Sequence, residues 1–167
     1  TLGFVRRAVK EPVPTVPNAL LKSFLQLVLC FLRPYTEPVP DGTPADSNTT
    51  KLASVLEPLF IFSLVWSFGA TCDADGRKVF DSFLRDRMRE KGATLVLPTS
   101  GTVYDYVFDV EKNTWLGWMD TIPPFQADSK TNFQQGYADI IVPTIDSICN
   151  TYIVEKLVSN HVHVLAV

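Results

Sequence analysis

The chain has 167 residues, enough for one domain or two small ones, and 46% of them are hydrophobic, enough for a sizeable core. Its net charge is −3, and RRAVK (6–10) is the only short basic run, so composition argues against a nucleic-acid partner. Three widely spaced cysteines, Cys30, Cys72 and Cys149, are odd in number and fit no metal pattern, which points to a reducing compartment rather than a disulfide scaffold.

TLGFVRRAVK shows no secretion signal. PVPTVP (12–17) makes residues 1–18 an extended, Pro-rich segment. ALLKSFLQLVLCFLR (19–33) follows, with Leu20, Leu21, Phe24, Leu25, Val28, Phe31 and Leu32 at helical spacing. Leu27 and Leu29 thicken that face, so this helix is expected to be buried on more than one side and to stop at Pro34. Residues 34–48 hold four prolines and a DG turn signal and read as a loop. A second helix begins at Thr49 or Thr50 and shows Leu52, Val55, Leu56, Leu59, Ser63 and Trp66 as one stripe. Pro58 either kinks it or divides it, and Gly69 ends it. Its apolar run and that of the first helix are interrupted by polar residues and fall short of the roughly 20 residues a membrane span needs, so no membrane is expected as a partner.

CDADGR (72–77) reads as a turn, without the regular oxygen ladder of a calcium loop. In KVFDSFLRDRMRE, Val79, Phe80, Phe83, Leu84 and Met88 form the apolar side of a third helix. Arg85, Asp86, Arg87, Arg89 and Glu90 are its wet face, and KG at 91–92 is its stop. Residues 19–92 thus form a helical unit.

The character changes at residue 93. Residues 93–138 read as a sheet-like aromatic connector, with strands near 94–97 and 103–110 and a turn at EKN. Alternation puts Tyr104, Tyr106 and Phe108 on one face, and Trp115 and Trp118 follow. Such an array is either a small sheet pinned to a neighbouring core or an exposed platform for a partner. In residues 139–167, IIVPT (140–144) precedes a helix striped by Ile145, Ile148, Cys149, Tyr152, Ile153 and Leu157. SNH breaks it, and HVHVLAV (161–167) reads as a strand. A missing initiator Met and that closing strand suggest a piece of a longer protein.

No phosphate-binding, dinucleotide, zinc-protease or nucleophile-elbow pattern is present. His161 and His163 share one face of an extended strand, but two ligands are too few for a zinc site. A Cys149–His–carboxylate constellation has the residue types and no recognisable pattern. IIVPT could offer an apolar wall to a flat ring, with backbone groups making the polar contacts.

Three blocks carry a resemblance: FSLVWSFGATCDADGRKVFDSFLRD (62–86), GTVYDYVFDVEKNTWLGWMDTIPPF (101–125) and DIIVPTIDSICNTYIVEKLV (139–158). In this combination and order the chain resembles dynein heavy chains, most closely the axonemal type. The resemblance implies a mainly α fold with a small β connector, part of an AAA+ ring protein. The helical lid of the second module would be followed by the first helix and strand of the third. It implies that Ile141, Val142, Pro143 and Thr144 line an adenine pocket, supported by Ile148 and Tyr152, and that Cys149 stands where the family usually has Arg. It implies a parent that uses ATP/ADP with Mg as a minus-end-directed microtubule motor of cilia and flagella. That parent's partners would be the rest of the ring, microtubules, and dynein intermediate and light chains. HVHVLAV would be the strand before the phosphate-binding loop, so these residues are expected to be inactive as an ATPase and to serve structural coupling. A stand-alone helical interaction module, binding through Trp115 and Trp118, is the alternative.

Overall fold

The computed structural model describes residues 1–36, 45–93, 96–122 and 143–164. Five helices and one two-stranded hairpin are formed among them.

α1 (Leu2–Ala8) occupies a stretch expected to be extended. LGFVRRA contains no proline, and burial rewards the helix. Val5 is fully buried, and Phe4 stacks on Phe83 with centroids 3.8 Å apart. Only the Pro-rich stretch after it is irregular. Pro17 opens α2 (Pro17–Thr36), two residues before the expected start, because a first-turn proline sacrifices no helical hydrogen bond. α2 also runs past Pro34 to Thr36, although Pro34 has no N–H to give to the carbonyl of Cys30. Its burial is one-sided: Leu20, Phe24, Leu27 and Phe31 face the core, while Leu21, Leu25 and Leu29 stay about half exposed or more.

α3 (Ala45–Leu64) starts earlier than Thr49 and is not divided at Pro58. It widens into a π turn, Val65–Gly69, and ends there. Lys51–Gly69 is apolar and long enough by composition to cross a membrane, which corrects the expectation from its polar interruptions. In this fold 56% of that window is buried inside the protein.

α4 (Ala74–Glu90) begins inside CDADGR. The Asp73 carboxylate accepts from the Gly76 amide at 2.8 Å, so this acid caps a helix. Val79 is exposed rather than core-facing. Gly92, at φ +63°, closes the helix as expected: its N–H reaches Arg89 O and the Ala93 N–H reaches Met88 O.

β1 (Tyr106–Asp109) and β2 (Thr114–Gly117) pair antiparallel, with Val107 opposite Leu116 and Phe108 opposite Trp115. Residues 103–105 form a 3-10 turn instead of the start of the strand, because Asp105 caps it back onto Thr102. Residues 96–97 are in no strand, and 94–95 lie outside the described residues. Asn113 takes φ 51° in the tight turn, and Asp109 Oδ1 accepts from the Glu111 and Lys112 amides. Val107 and Phe108 point to opposite faces yet both are buried, so the hairpin is packed between layers.

α5 (Ile145–Ser159) starts at its Thr144 cap as expected. Directly after it the described residues 160–164 are in no strand. His161 takes φ 59°, its N–H bonds to Val158 O, and the Val162 N–H reaches back to Leu157 O. That is a Schellman closure with His where Gly is usual. Residues 162–164 pair with no strand, and 165–167 lie outside the described residues. His161 and His163 therefore do not share the face of a strand.

The core has two parts. One gathers α1, α4, the π turn and Tyr104 around Phe24, Phe68 and Phe80. The other gathers the hairpin, Trp118 and α5 around Phe31, Leu59 and Phe62.

Candidate functional site

The loop before α5 was the sequence's best candidate for binding. Of its four residues, Ile141 and Val142 lie outside the described residues. Pro143 and Thr144 are exposed. Thr144 Oγ1 accepts from the Ser147 amide at 3.2 Å, and Ser147 Oγ accepts from the Thr144 amide at 2.9 Å. This capping box fixes the angle at which the loop enters the helix. The Thr144 hydroxyl oxygen is thereby engaged, so Pro143 and Thr144 present ring and methyl surface rather than a charged handle.

The helix behind the loop is anchored by one aromatic side chain. Tyr152 lies 5.5 Å from Trp118, 6.0 Å from Phe62 and 6.1 Å from Phe31, centroid to centroid. Burial pushes its phenol above the ordinary range, and the Asp109 charge adds to this. Asp109 itself is held below the ordinary carboxylate range, first by the Lys112 amide and also by that of Glu111. Ile148 and Tyr152 turn toward a cleft of about 310 Å³ that they share with Val107, Leu116 and Trp118. Both therefore pack against the hairpin.

Cys149 is buried, and its thiol donates to Asp146 O at 3.4 Å. Burial raises its pKa, with the Asp146 charge acting in the same direction. It is a packed thiol facing the core, whereas His161 and His163 are exposed beyond the end of α5. No group of three or more His, Cys, Asp or Glu gathers among the described residues. Trp118 is 2% exposed and its indole donates to Tyr104 O, so it is core rather than a docking surface.

Two interactions were not read from the sequence. Tyr104 Oη donates to Gly69 O at 2.9 Å, tying the connector to the end of the π turn. Burial drives that phenol far above the ordinary range. Arg85, expected on the wet face, is largely covered. It grips both oxygens of Asp81 and donates to Pro98 O at 2.7 Å. Asp81 in turn accepts from the Val103 amide. The i,i+4 Asp–Arg spacing was visible, but its tertiary targets were not.

The aromatic connector thus binds a helical unit to the helix that follows it. The dynein heavy chain AAA lid domain matches residues 1–120. The chain belongs to that family. Dynein axonemal heavy chain 1 of Mus musculus is 35% identical over 183 aligned residues, which cover 100% of this chain and 4% of the relative. Dynein axonemal heavy chain 2 of Mus musculus is 34% identical, covering 99% of this chain and 3% of the relative. Dynein axonemal heavy chain 12 of Rattus norvegicus is 37% identical over 60% of the chain. The chain spans about 4% of the length of the first of these. The mainly helical fold with one small hairpin agrees with an AAA lid.

Proposed function

We propose that this chain is the part of an axonemal dynein heavy chain that joins the lid of the second AAA+ module to the start of the third, and that its work is mechanical. The observation that carries the reading is the position of Tyr152. It stands on the helix after the candidate adenine loop and is held by Phe31 and Phe62 of the lid and Trp118 of the connector. A displacement of the lid is then passed to α5, and from its capped end to Pro143 and Thr144.

In this reading Ile141, Val142, Pro143 and Thr144 form the apolar wall for an adenine. The bound ATP/ADP and Mg supply the hydrolysis chemistry in the parent motor. The residues here hold the base and set the angle of the loop. Microtubules, the rest of the ring, and intermediate and light chains are the parent's partners, and the axoneme of cilia and flagella is its location. The names of the relatives support this. The sequence has no glycine-rich phosphate-binding pattern, so the 167 residues alone are expected not to turn over ATP. A turnover assay tests this, and magnesium-dependent hydrolysis above background would overturn it. For the coupling, Tyr152→Ala placed in the parent heavy chain should uncouple ATPase rate from microtubule gliding speed. Unchanged gliding per ATP consumed would overturn that part.

A further inference from the structure

We infer that the fold contains a hinge: a seam between the two halves of the core that crosses the helix α3 beside the π turn Val65–Gly69 and is marked by Trp66 and Trp115.

Three independent observations meet there. The buried side chains separate into two clusters, and Trp66 and Trp115 are partly buried residues packed against both. α3 changes geometry beside this crossing: Val55, Leu59 and Phe62 belong to one cluster and Ile61, Leu64 and Val65 to the other, and the helix passes from α to π at Val65. A π turn is a local widening that recurs at sites of adjustment. Ser63 and Ser67, both buried, donate to the carbonyls of Leu59 at 2.7 Å and Ser63 at 2.6 Å. Hydroxyl bonds of this type bend helices. Finally, among the described residues the indole N–H groups of Trp66 and Trp115 are buried without a hydrogen-bond partner. Trp118 lies in the same aromatic group and has its partner.

An unpaired buried donor weakens the state that buries it. Two of them on one seam make it the easiest place for the core to part, because parting hydrates both. The Trp118–Tyr104 bond spans the same boundary and limits the opening. Motion at this seam carries the hairpin and α5 as one body against α1 and α4. That this motion adjusts the coupling between modules rests on the function proposed above; the seam itself does not.

The test is made on the whole 167-residue chain. Hydrogen exchange read by mass spectrometry should place Tyr106–Gly117 and Ile145–Ser159 in one opening class and Ala74–Glu90 in another. A single class covering all three would overturn the hinge. The second measurement replaces one tryptophan at a time by 3-benzothienylalanine, which exchanges the N–H for sulfur at nearly constant shape. At Trp66 and at Trp115 the unfolding temperature should stay level or rise. At Trp118 it should fall by about 2–4 °C. An equal fall at all three positions would overturn the assignment of the two unpaired indoles.

Discussion

Trp118 donates its indole N–H to the backbone oxygen of Tyr104 at 2.9 Å, and Tyr104 passes the connection on by donating its own hydroxyl to Gly69 O at 2.9 Å. A side chain after the hairpin is thereby linked, through one tyrosine, to the end of the central helix. Both bonds are buried, so neither can be exchanged for water without cost. Tyr104→Phe keeps the ring and removes the second bond, leaving the Gly69 carbonyl with the Cys72 amide as its partner. We expect a loss of about 1–2 kcal/mol, read from the urea midpoint with an unchanged slope. No loss would show that the bond is offset by the burial of the phenol.

Gly69 is the other end of the same contact. A Cβ there would stand 2.5 Å from Tyr104 Oη and 2.8 Å from Phe80 Cε1. Gly69→Ala is therefore expected to destabilise by about 2–3 kcal/mol, as an overpacked core does. Combined with Tyr104→Phe, which removes the closest atom, the total loss should be smaller than the sum of the two. A double-mutant cycle measures this, and strict additivity would contradict the contact.

Much of this arrangement was legible in the sequence at the level of elements. The helices α3 and α5 and the turn at EKN need only local periodicity and turn chemistry, and each appears where it was expected, although Leu56 and Ile145 of the expected stripes are exposed. Start positions were less legible. α2 and α4 begin early because Pro17 fits a first turn and Asp73 caps, both local effects that a periodicity window blurs. α1 was missed because Val5 and Phe4 gain their burial from α4 and the core, which no local pattern encodes. The strand expected at HVHVLAV is a different error. Alternation identified an extended run, but pairing depends on neighbours, and the described part turns at His161 instead. At the candidate site, a helix starting just after IIVPT was legible, whereas the role of Tyr152 depends on three rings distant in sequence.

Arg85 was read as surface, and with Asp81 it forms a clamp. Arg85→Ala removes the grip on Asp81 and the bond to Pro98 O, leaving a largely covered carboxylate with only the Val103 amide. A loss of about 1–3 kcal/mol is expected, with faster exchange of the amides in 96–105. A cost within ~0.5 kcal/mol would return the pair to the class of ordinary surface ion pairs.

Asp109 predicts a pH dependence. Its folded-state pKa lies below the ordinary carboxylate value because two turn amides bond to the ionised form. The unfolded chain therefore holds this proton more tightly. The stabilisation is fully present above the ordinary carboxylate pKa and disappears as pH falls through the lowered folded value. Comparing Asp109→Ala with the parent chain, the gap in unfolding midpoint should narrow as pH is lowered below the carboxylate range. A gap that is constant with pH would assign the effect to packing.

His161 provides the opposite kind of test, because the variant should be more stable. It occupies the left-handed position of the closure after α5, at φ 59°, where a Cβ is unfavourable. Its side chain is exposed, so its loss costs little packing. Gly92 occupies the equivalent position after α4, at φ +63°, with the same pair of backbone bonds. His161→Gly removes the strain but enlarges the conformational freedom of the unfolded chain, and the first effect is the larger at this φ. A gain of about 0.5–1 kcal/mol is expected in denaturant unfolding. His161→Ala retains a Cβ and should give no such gain. If both variants behave alike, the imidazole rather than the backbone decides this position.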